Sequence, residues 1–120
     1  MLVKRIRPVA VPRIPHFGMR ASTISKDEYH RWFRPVWDDV PGARTDRGHP
    51  APFPIEIPYR IARMFSFTGD TILDVCAGSA TTALGAAKAG RHSVCVDISA
   101  NYLRKSIERL QRADLELLAA

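Results

Sequence analysis

Two aspartates lie at the ends of predicted β-strands. Asp74 lies near the end of a strand predicted over residues 71–75, and Asp97 directly follows a β-branched strand predicted over residues 93–96. In open α/β sheets, ligands bind beyond the carboxyl ends of the strands. Asp97 comes 23 positions after Asp74, a spacing at which an acidic side chain can accept hydrogen bonds from both hydroxyls of a ribose. The two acids therefore indicate a nucleoside-containing ligand.

The loop between these acids contains one glycine and several hydroxyl side chains: Gly78, Ser79, Thr81 and Thr82. A dinucleotide-binding fingerprint has three glycines here and a P-loop has a lysine, so pyrophosphate binding is disfavoured. The hydroxyls and the free backbone amides of a following helix suit a single carboxylate instead. A ligand with one ribose, one carboxylate and one ammonium fits this pattern, and Asp74 would face the ammonium.

The elements around this loop predict a βαβ unit. An alanine-rich helix over residues 81–89 follows the loop, and Gly90 is placed for its left-handed cap. Ser99 is placed to cap the last helix, in which apolar residues recur at i, i+4 and i+7. Because a right-handed crossover between parallel strands is the economical arrangement, the predicted fold class is α/β.

A further helix is predicted just before this unit, over residues 58–66. Pro58 suits its first turn, and Ile61, Met64 and Phe65 form its apolar stripe. The segment before it, residues 49–54, contains three prolines that enforce an extended path, and we call it the proline strap.

The first half of the chain has less regular structure in its sequence. Ser25 and Glu28 form a capping box that begins a short helix over residues 26–33. Tyr29, Trp32 and Phe33 form its apolar stripe, and Trp37 is a neighbouring aromatic residue beyond the helix. The two tryptophans and Phe33 are predicted to be core residues rather than stacking platforms for bases. Residues 38–48 are predicted to form an exposed loop.

Length and composition limit the possible classes of protein. With 120 residues, 46% apolar and 25% charged, the chain suffices for one globular domain. No apolar run is long enough to span a bilayer, and the early arginines and prolines argue against a secretory signal. The two cysteines, Cys76 and Cys95, are expected to be buried, reduced thiols without metal-ligand spacing. We therefore expect a cytoplasmic protein with no membrane partner.

The formal net charge of +6 is concentrated at one end of the chain. The basic residues among the first twenty, which contain no acid, are Lys4, Arg5, Arg7, Arg13 and Arg20. They are candidate contacts to nucleic-acid phosphates. A solvated basic tail explains them equally well.

Three motifs together resemble a known family. In order they are His49-Pro50-Ala51-Pro52-Phe53-Pro54, then Asp74-Val75-Cys76-Ala77-Gly78-Ser79-Ala80-Thr81-Thr82, then Val96-Asp97-Ile98. They resemble the S-adenosylmethionine-binding portion of amino-type DNA methyltransferases, which methylate adenine N6 or cytosine N4. The order matches the permuted (beta) class, whose cofactor motifs follow the catalytic one. The resemblance covers roughly residues 30–112.

The resemblance implies a partial Rossmann-like, S-adenosylmethionine-dependent methyltransferase fold with few parallel strands and flanking helices. It implies that the proline strap, His49, Pro50, Ala51, Pro52 and Phe53, lines the methionine side of the cofactor. The loop residues that would hold its amino-acid end are Asp74, Cys76, Ala77, Gly78, Ser79 and Thr81. Asp97, with Ile98 beside it, would bind the ribose.

The chain departs from the family pattern in three respects. Val75 and Cys76 replace a Pro-Phe pair, and Ala80 replaces a glycine in a turn where positive φ is expected. The family's catalytic motif, an Asp, Asn or Ser followed by Pro-Pro and an aromatic residue, does not occur in the sequence. That motif accepts hydrogen bonds from the target amino group and stacks the flipped base. No catalytic residue is therefore predicted.

The predicted organisation is a basic extended segment (1–23), a short helix and loop (24–48), and an S-adenosylmethionine-binding βαβ domain (49–120). We expect the C-terminal portion of a DNA methyltransferase, completed by a separate N-terminal catalytic half. Two strands alone would leave an open sheet edge, which favours such a partner or a homo-oligomer. Two alternatives are a non-catalytic nucleic-acid-binding or regulatory remnant and a complete small enzyme that uses the same cofactor on another substrate.

Overall fold

The computed structural model describes residues 2–8, 24–42, 52–113 and 115–119. The elements in chain order are β1 (Leu2–Pro8), α1 (Lys26–Trp32), α2 (Glu56–Phe65), β2 (Thr71–Asp74), α3 (Thr81–Lys88), β3 (His92–Asp97), α4 (Ala100–Gln111) and β4 (Leu115–Ala119). Of the helices in these ranges, none is both long and apolar enough to cross a membrane.

The described strands form one four-stranded sheet in the order β2-β3-β1-β4. β2 and β3 are parallel, and their register places Asp74 opposite Cys95. β1 is antiparallel to both of its neighbours, β3 and β4. The predicted α/β class, with few parallel strands and flanking helices, is confirmed.

Residues 2–8, part of the predicted basic extended segment 1–23, lie inside the sheet as a strand that was not predicted from the sequence. β1 pairs with β3 from Leu2 opposite Asp97 to Ile6 opposite Ser93. The sequence predicted only two strands because β1 and β4 obtain their hydrogen bonds from strands distant in the chain, and strand propensity depends on such context. β3 therefore has no bare edge, and in the described part of the chain the outer strands are β2 and β4.

The capping box predicted at the start of α1 is present. The Ser25 hydroxyl accepts a hydrogen bond from the Glu28 amide at 3.2 Å, and the Glu28 carboxylate accepts one from the Ser25 amide at 2.9 Å. Trp32 is buried as predicted, but Phe33 is exposed. The core prediction for Phe33 is wrong because its ring stacks on Tyr29 at the surface, with 4.6 Å between ring centroids.

The apolar stripe predicted for α2 does not face the core. Ile61 and Phe65 are 46% and 71% exposed, and the buried residues of the helix are Pro58, Arg60 and Ala62. Periodicity shows that a helix has an apolar stripe, but it does not show which side meets its neighbours. Here the burial of Arg60 decides the orientation of the helix.

The contact between α2 and α3 depends on a glycine. A Cβ atom on Gly85 would lie 2.7 Å from the backbone nitrogen of Tyr59 and 2.8 Å from Cγ of Pro58. Atoms at these distances overlap, so any larger residue would push the two helices apart. Gly85 therefore brings the first turn of α2 against α3, just beyond the loop that contains the candidate site.

Arg60 is buried because aromatic rings and carboxylates surround it. Its guanidinium carbon lies 5.6 Å from the centroid of the Trp32 ring and 5.3 Å from that of the Trp37 ring. It donates to both carboxylate oxygens of Asp39, at 2.8 and 3.0 Å, and to Glu56 at 2.9 Å. Asp39 belongs to the predicted loop 38–48, so this ion pair attaches the start of that loop to α2. Residues 43–48 lie outside the described residues.

Small side chains form the core beneath the loop that follows β2. The buried cluster consists of Ala77, Ala80, Ala83, Cys95 and Leu110, with Leu84 packed against it. Its members come from that loop, α3, β3 and α4. The backbone of the candidate site is thus supported directly by the packing of three elements.

Candidate functional site

The loop between β2 and α3 makes a tight turn through two residues with positive φ. Gly78 has a φ of 49° and Ala80 a φ of 59°. The positive φ expected at Ala80 is confirmed. An alanine in this conformation costs about 1 kcal/mol or more because its Cβ crowds the following carbonyl. The Ala80 side chain is nevertheless fully buried in the core cluster, so packing holds the turn in place.

Asp97 ties this loop to the end of β3. One carboxylate oxygen accepts a hydrogen bond from the Gly78 amide at 2.8 Å, and the other accepts one from the Ser99 amide at 2.8 Å. The side chain is buried. Each oxygen of an ionised carboxylate can accept a second hydrogen bond. The structure therefore gives Asp97 a role within the fold, and its predicted contact with a ribose stays a prediction.

Asp74 and Cys95 lie side by side where the parallel strands end. One Asp74 oxygen accepts a hydrogen bond from the Cys76 amide at 3.0 Å, which shapes the first residues of the loop. Burial, and to a lesser degree the charge of Asp74, raises the pKa of the Cys95 thiol to about 12. Cys95 is therefore a neutral packed thiol, as predicted. The burial predicted for Cys76 is wrong, because the loop after β2 places this residue at the surface, where it is exposed.

Arg109 is a site residue that the sequence reasoning missed. From the last turn of α4, its Nη1 donates to the Ser79 carbonyl at 2.9 Å, to the Ser79 hydroxyl at 3.2 Å and to the Thr81 hydroxyl at 2.9 Å. Arg109 lies three positions after Ser106, which is buried on the same helix, but the sequence alone does not show that burial, so no signal for this contact was visible in it. An arginine beside a buried helix face must find acceptors within reach.

The loop and α3 together present donors to an anion. Ala80 is the N-cap of α3 and makes no side-chain capping hydrogen bond, and the first turn of α3 contains no acidic residue. The partial positive charge of a helix N-terminus favours a negative group there. The hydroxyls of Ser79 and Thr81 lie beside this helix N-terminus. Together with the backbone amides they give the loop the donors that a carboxylate requires.

The structure brings the loop residues and both aspartates together at the carboxyl ends of β2 and β3. Ile98, directly after β3, is 95% exposed. In the proline strap, Pro52 is half-buried and Phe53 is exposed, and the Pro54 carbonyl accepts a hydrogen bond from Ile57 as α2 begins. His49, Pro50 and Ala51 lie outside the described residues.

The five basic residues predicted to contact nucleic acid fall into two groups. Lys4 is half-buried and Arg5 exposed on β1, and the backbone of Arg7 belongs to the same strand. Arg13 and Arg20 lie outside the described residues. β1 therefore places at least part of this charge on a sheet strand that adjoins the one ending at Asp97.

Comparisons with known proteins agree with the resemblance found in the motifs. The family described as DNA methylase (N6_N4_Mtase) matches residues 10–108. The chain is 42% identical over 84 residues to the Type II methyltransferase M.MjaI of Methanocaldococcus jannaschii, which covers 65% of this chain and 27% of that protein. It is 41% identical over 95 residues to the Type II methyltransferase M.ScaI of Streptomyces caespitosus, covering 78% and 31%.

A solved structure is similar as well. The crystal structure of TTHA0409 from Thermus thermophilus, complexed with S-adenosyl-L-methionine, is 43% identical in sequence with a TM-score of 0.66. The match covers 76% of this chain and 35% of that one. The chain thus spans only about a quarter to a third of these curated and solved relatives. Because the family match extends over most of its length, the chain belongs to the DNA methylase family.

Proposed function

We propose that this chain is the cofactor-binding part of a site-specific DNA methyltransferase. It would bind S-adenosylmethionine for methylation of an exocyclic amino group of adenine or cytosine. The observation that carries the proposal is the loop at residues 77–81, which is fixed by Asp97 on one side and by Arg109 on the other. The likeness to TTHA0409, which was crystallised with S-adenosyl-L-methionine, supports the same cofactor for this chain.

The described residues fit this cofactor in spite of their departures from the family pattern. The Ala80 side chain is fully buried in the core cluster, so it does not occupy the ligand's side of the loop. Gly78 and Ser79 are half-buried and Cys76 is exposed, so the surface of the loop is accessible. S-adenosylmethionine, when bound, supplies a methyl group that its positively charged sulfur already activates.

Each end of the cofactor is assigned to a different part of the site. Asp74 would pair with the ammonium, and the remaining acceptor positions of Asp97 would bind the ribose hydroxyls beside Ile98. The loop residues assigned to the carboxylate end are Cys76, Ala77, Gly78, Ser79 and Thr81. The proline strap assigned to the methionine side is His49, Pro50, Ala51, Pro52 and Phe53. The chain's own contribution is to bind and orient, which is the main requirement for direct transfer.

The proposed substrate is DNA, with the target base extruded from the helix as in other enzymes that modify bases. The sequence has no Pro-Pro-aromatic motif to accept hydrogen bonds from the target amino group. We therefore propose the permuted arrangement, with that motif supplied by a separate N-terminal catalytic half. The DNA phosphates near that half would be contacted by the basic residues Lys4, Arg5, Arg7, Arg13 and Arg20.

We propose that β2 contacts the separate N-terminal catalytic half, or a second copy of this chain. It is an outer strand of the described sheet, and Leu73 on it is 63% exposed. An unpaired strand edge with exposed apolar side chains is a template for another strand.

Calorimetric titration with S-adenosylmethionine tests the proposal. We expect saturable binding to the folded chain, and no heat at millimolar ligand would contradict it. In a methylation assay on DNA of mixed sequence, the purified chain alone should transfer no methyl groups. Clear activity would contradict the account of the missing motif.

A non-catalytic nucleic-acid-binding or regulatory module is the second candidate. It is favoured by the missing catalytic motif and by Val75 and Cys76, which replace the family's Pro-Phe pair. This candidate predicts DNA binding without S-adenosylmethionine binding, so the same titration separates the two.

A further inference from the structure

Arg109 joins two hydroxyl side chains across the entrance to α3. A single guanidinium nitrogen, Nη1, donates to the hydroxyls of Ser79 and Thr81 at 3.2 and 2.9 Å, and also to the Ser79 carbonyl. The two hydroxyl oxygens are 3.5 Å apart. Arg109 lies 28 to 30 residues after these partners, so the contact links α4 to the loop rather than one turn to the next.

This contact determines which way the hydroxyls can donate. A hydroxyl group has one hydrogen to donate and two positions that accept. Because arginine can only donate, both oxygens must act as acceptors toward Nη1. One hydroxyl can donate its hydrogen to the other oxygen, and the remaining hydroxyl hydrogen is left to point elsewhere. Without Arg109, either hydroxyl could turn its hydrogen to the Ser79 carbonyl or to water.

We propose that Arg109 is a positioning residue that orients the paired Ser79 and Thr81 hydroxyls so that the pair donates to the carboxylate of the bound cofactor. The inference rests on the proposed function, and it adds the residue that makes the loop selective for a carboxylate. The Ser79 carbonyl would repel a carboxylate if left unpaired. Its hydrogen bond to Arg109 removes that repulsion and places a positive charge directly behind the hydroxyls.

A purely structural role for Arg109 makes a different prediction. If the contact only fastened α4 to the loop, its loss would weaken every ligand of the site by a similar factor. If Arg109 acts through the hydroxyls, its replacement must lower the affinity only for a ligand that has a carboxylate. Decarboxylated S-adenosylmethionine separates the two roles, because it keeps the nucleoside, the sulfonium and the ammonium and lacks only the carboxylate.

The test compares Arg109→Gln with the matched variant Arg104→Gln. Arg104 is on the same helix, is exposed and hydrogen-bonds locally to Asn101, so the control removes the same charge from α4. We expect R109Q to weaken S-adenosylmethionine binding about tenfold or more, the size of a lost charge-assisted hydrogen bond. R104Q should change it less than about twofold. Affinity for the decarboxylated ligand should stay within about twofold in both variants.

The outcomes separate this inference from the proposed function. Equal losses for both ligands in R109Q, or no loss for either, would overturn the inference while the proposed function stands. Absence of S-adenosylmethionine binding by the unaltered chain would overturn both. If R109Q does not fold, the pair Ser79→Ala and Thr81→Val replaces it, since the first removes a hydroxyl from the loop and the second exchanges one for a methyl group. The two together should reproduce the carboxylate-dependent loss, and a loss equal for both ligands would again contradict the inference.

Discussion

The carboxylate of Asp97 accepts a hydrogen bond from the Gly78 amide at 2.8 Å, and this bond joins the end of β3 to the turn that follows β2. Its second oxygen accepts from the Ser99 amide at the same distance, at the start of α4. Asp97, which the sequence suggests for ribose binding, thus also fixes the loop between β2 and α3, where the other candidate site residues lie. Loss of one of these two acceptor oxygens should affect folding even without a ligand.

Asp97→Asn tests this double role. An asparagine amide can accept with only one of its two polar atoms, so one backbone amide, of Gly78 or Ser99, loses its acceptor. We expect the free energy of unfolding to fall by about 1–3 kcal/mol, measured by urea denaturation. The control is Asp38→Asn, whose side chain is 76% exposed and pairs with Arg34 at the surface, and it should change stability by less than about 1 kcal/mol. Equal midpoints for D97N and the unaltered chain would contradict the role.

Gly85→Ala tests the close contact between α2 and α3. Alanine is the better helix former by about 1 kcal/mol, so an open position would be stabilised. The new Cβ would instead lie 2.7 Å from the Tyr59 nitrogen, and overpacking of this kind costs about 1–3 kcal/mol. We expect a lower melting temperature, whereas Gly42→Ala, with no atom within 4 Å of its added Cβ, should melt close to the unaltered chain. A G85A variant that melts higher would show that the helices are not in this contact.

Arg91→Met tests a buried cation. Arg91 is fully buried and donates to the Ser66 hydroxyl at 3.1 Å, to the Ser66 carbonyl at 2.7 Å and to the Ala89 carbonyl. Burial, and secondly the charge of Arg63, lowers its pKa. Methionine fills the space of the stem but leaves these acceptors unpaired, which should cost about 2 kcal/mol or more.

The control for this change is Arg112→Met, made at an exposed position at the end of α4. Differential scanning calorimetry should show a clear fall in melting temperature for R91M and little change for R112M. Similar melting temperatures for the two variants would contradict the buried contacts of Arg91.

Acid should weaken the junction between α1 and α2. Burial alone would raise the pKa of Glu28, but hydrogen bonds from the Ser25 amide and from Arg63 outweigh it, so the pKa lies below its ordinary value of 4.5. A lowered carboxyl pKa stabilises the fold above the unfolded-state value, and this contribution disappears as pH falls through the folded-state value. Glu28→Gln should therefore be less stable than the unaltered chain at about pH 7, with a smaller difference near pH 3.

Urea midpoints at the two pH values measure this difference. Asp27→Asn, on an exposed residue of the same helix, serves as the control for removing a carboxylate and should lower stability at pH 7 less than E28Q does. A stability difference for E28Q that stays the same at both pH values would contradict the assigned ion pair with Arg63.

Local features of the fold could be predicted from the sequence because their causes are local. The capping box of Ser25 and Glu28, the cap at Ser99 and the positive φ of Gly90 all depend on a few neighbouring residues. The positive φ of Ala80 was expected instead from the glycine that the family has at this position. The α/β class followed from the order of these elements.

Long-range contacts could not be predicted in the same way. β1 becomes a strand because β3, far away in the chain, lies beside it, and nothing in its basic sequence shows that partner. Phe65 is exposed because Arg60 takes the buried side of α2, between the rings of Trp32 and Trp37. Arg109 was missed because its acceptors lie in a loop 28 to 30 residues earlier.

The most direct test of the proposed cofactor site is a map of backbone amide chemical shifts during titration with S-adenosylmethionine. We expect saturable shifts at residues 74–83 and 97–99, with the amides of Gly78, Ser79 and Thr81 among the largest. Residues of α1, which packs against α2, should hardly move. Saturable shifts elsewhere with an unchanged loop, or no shifts at millimolar ligand in the folded chain, would contradict the assignment of the site.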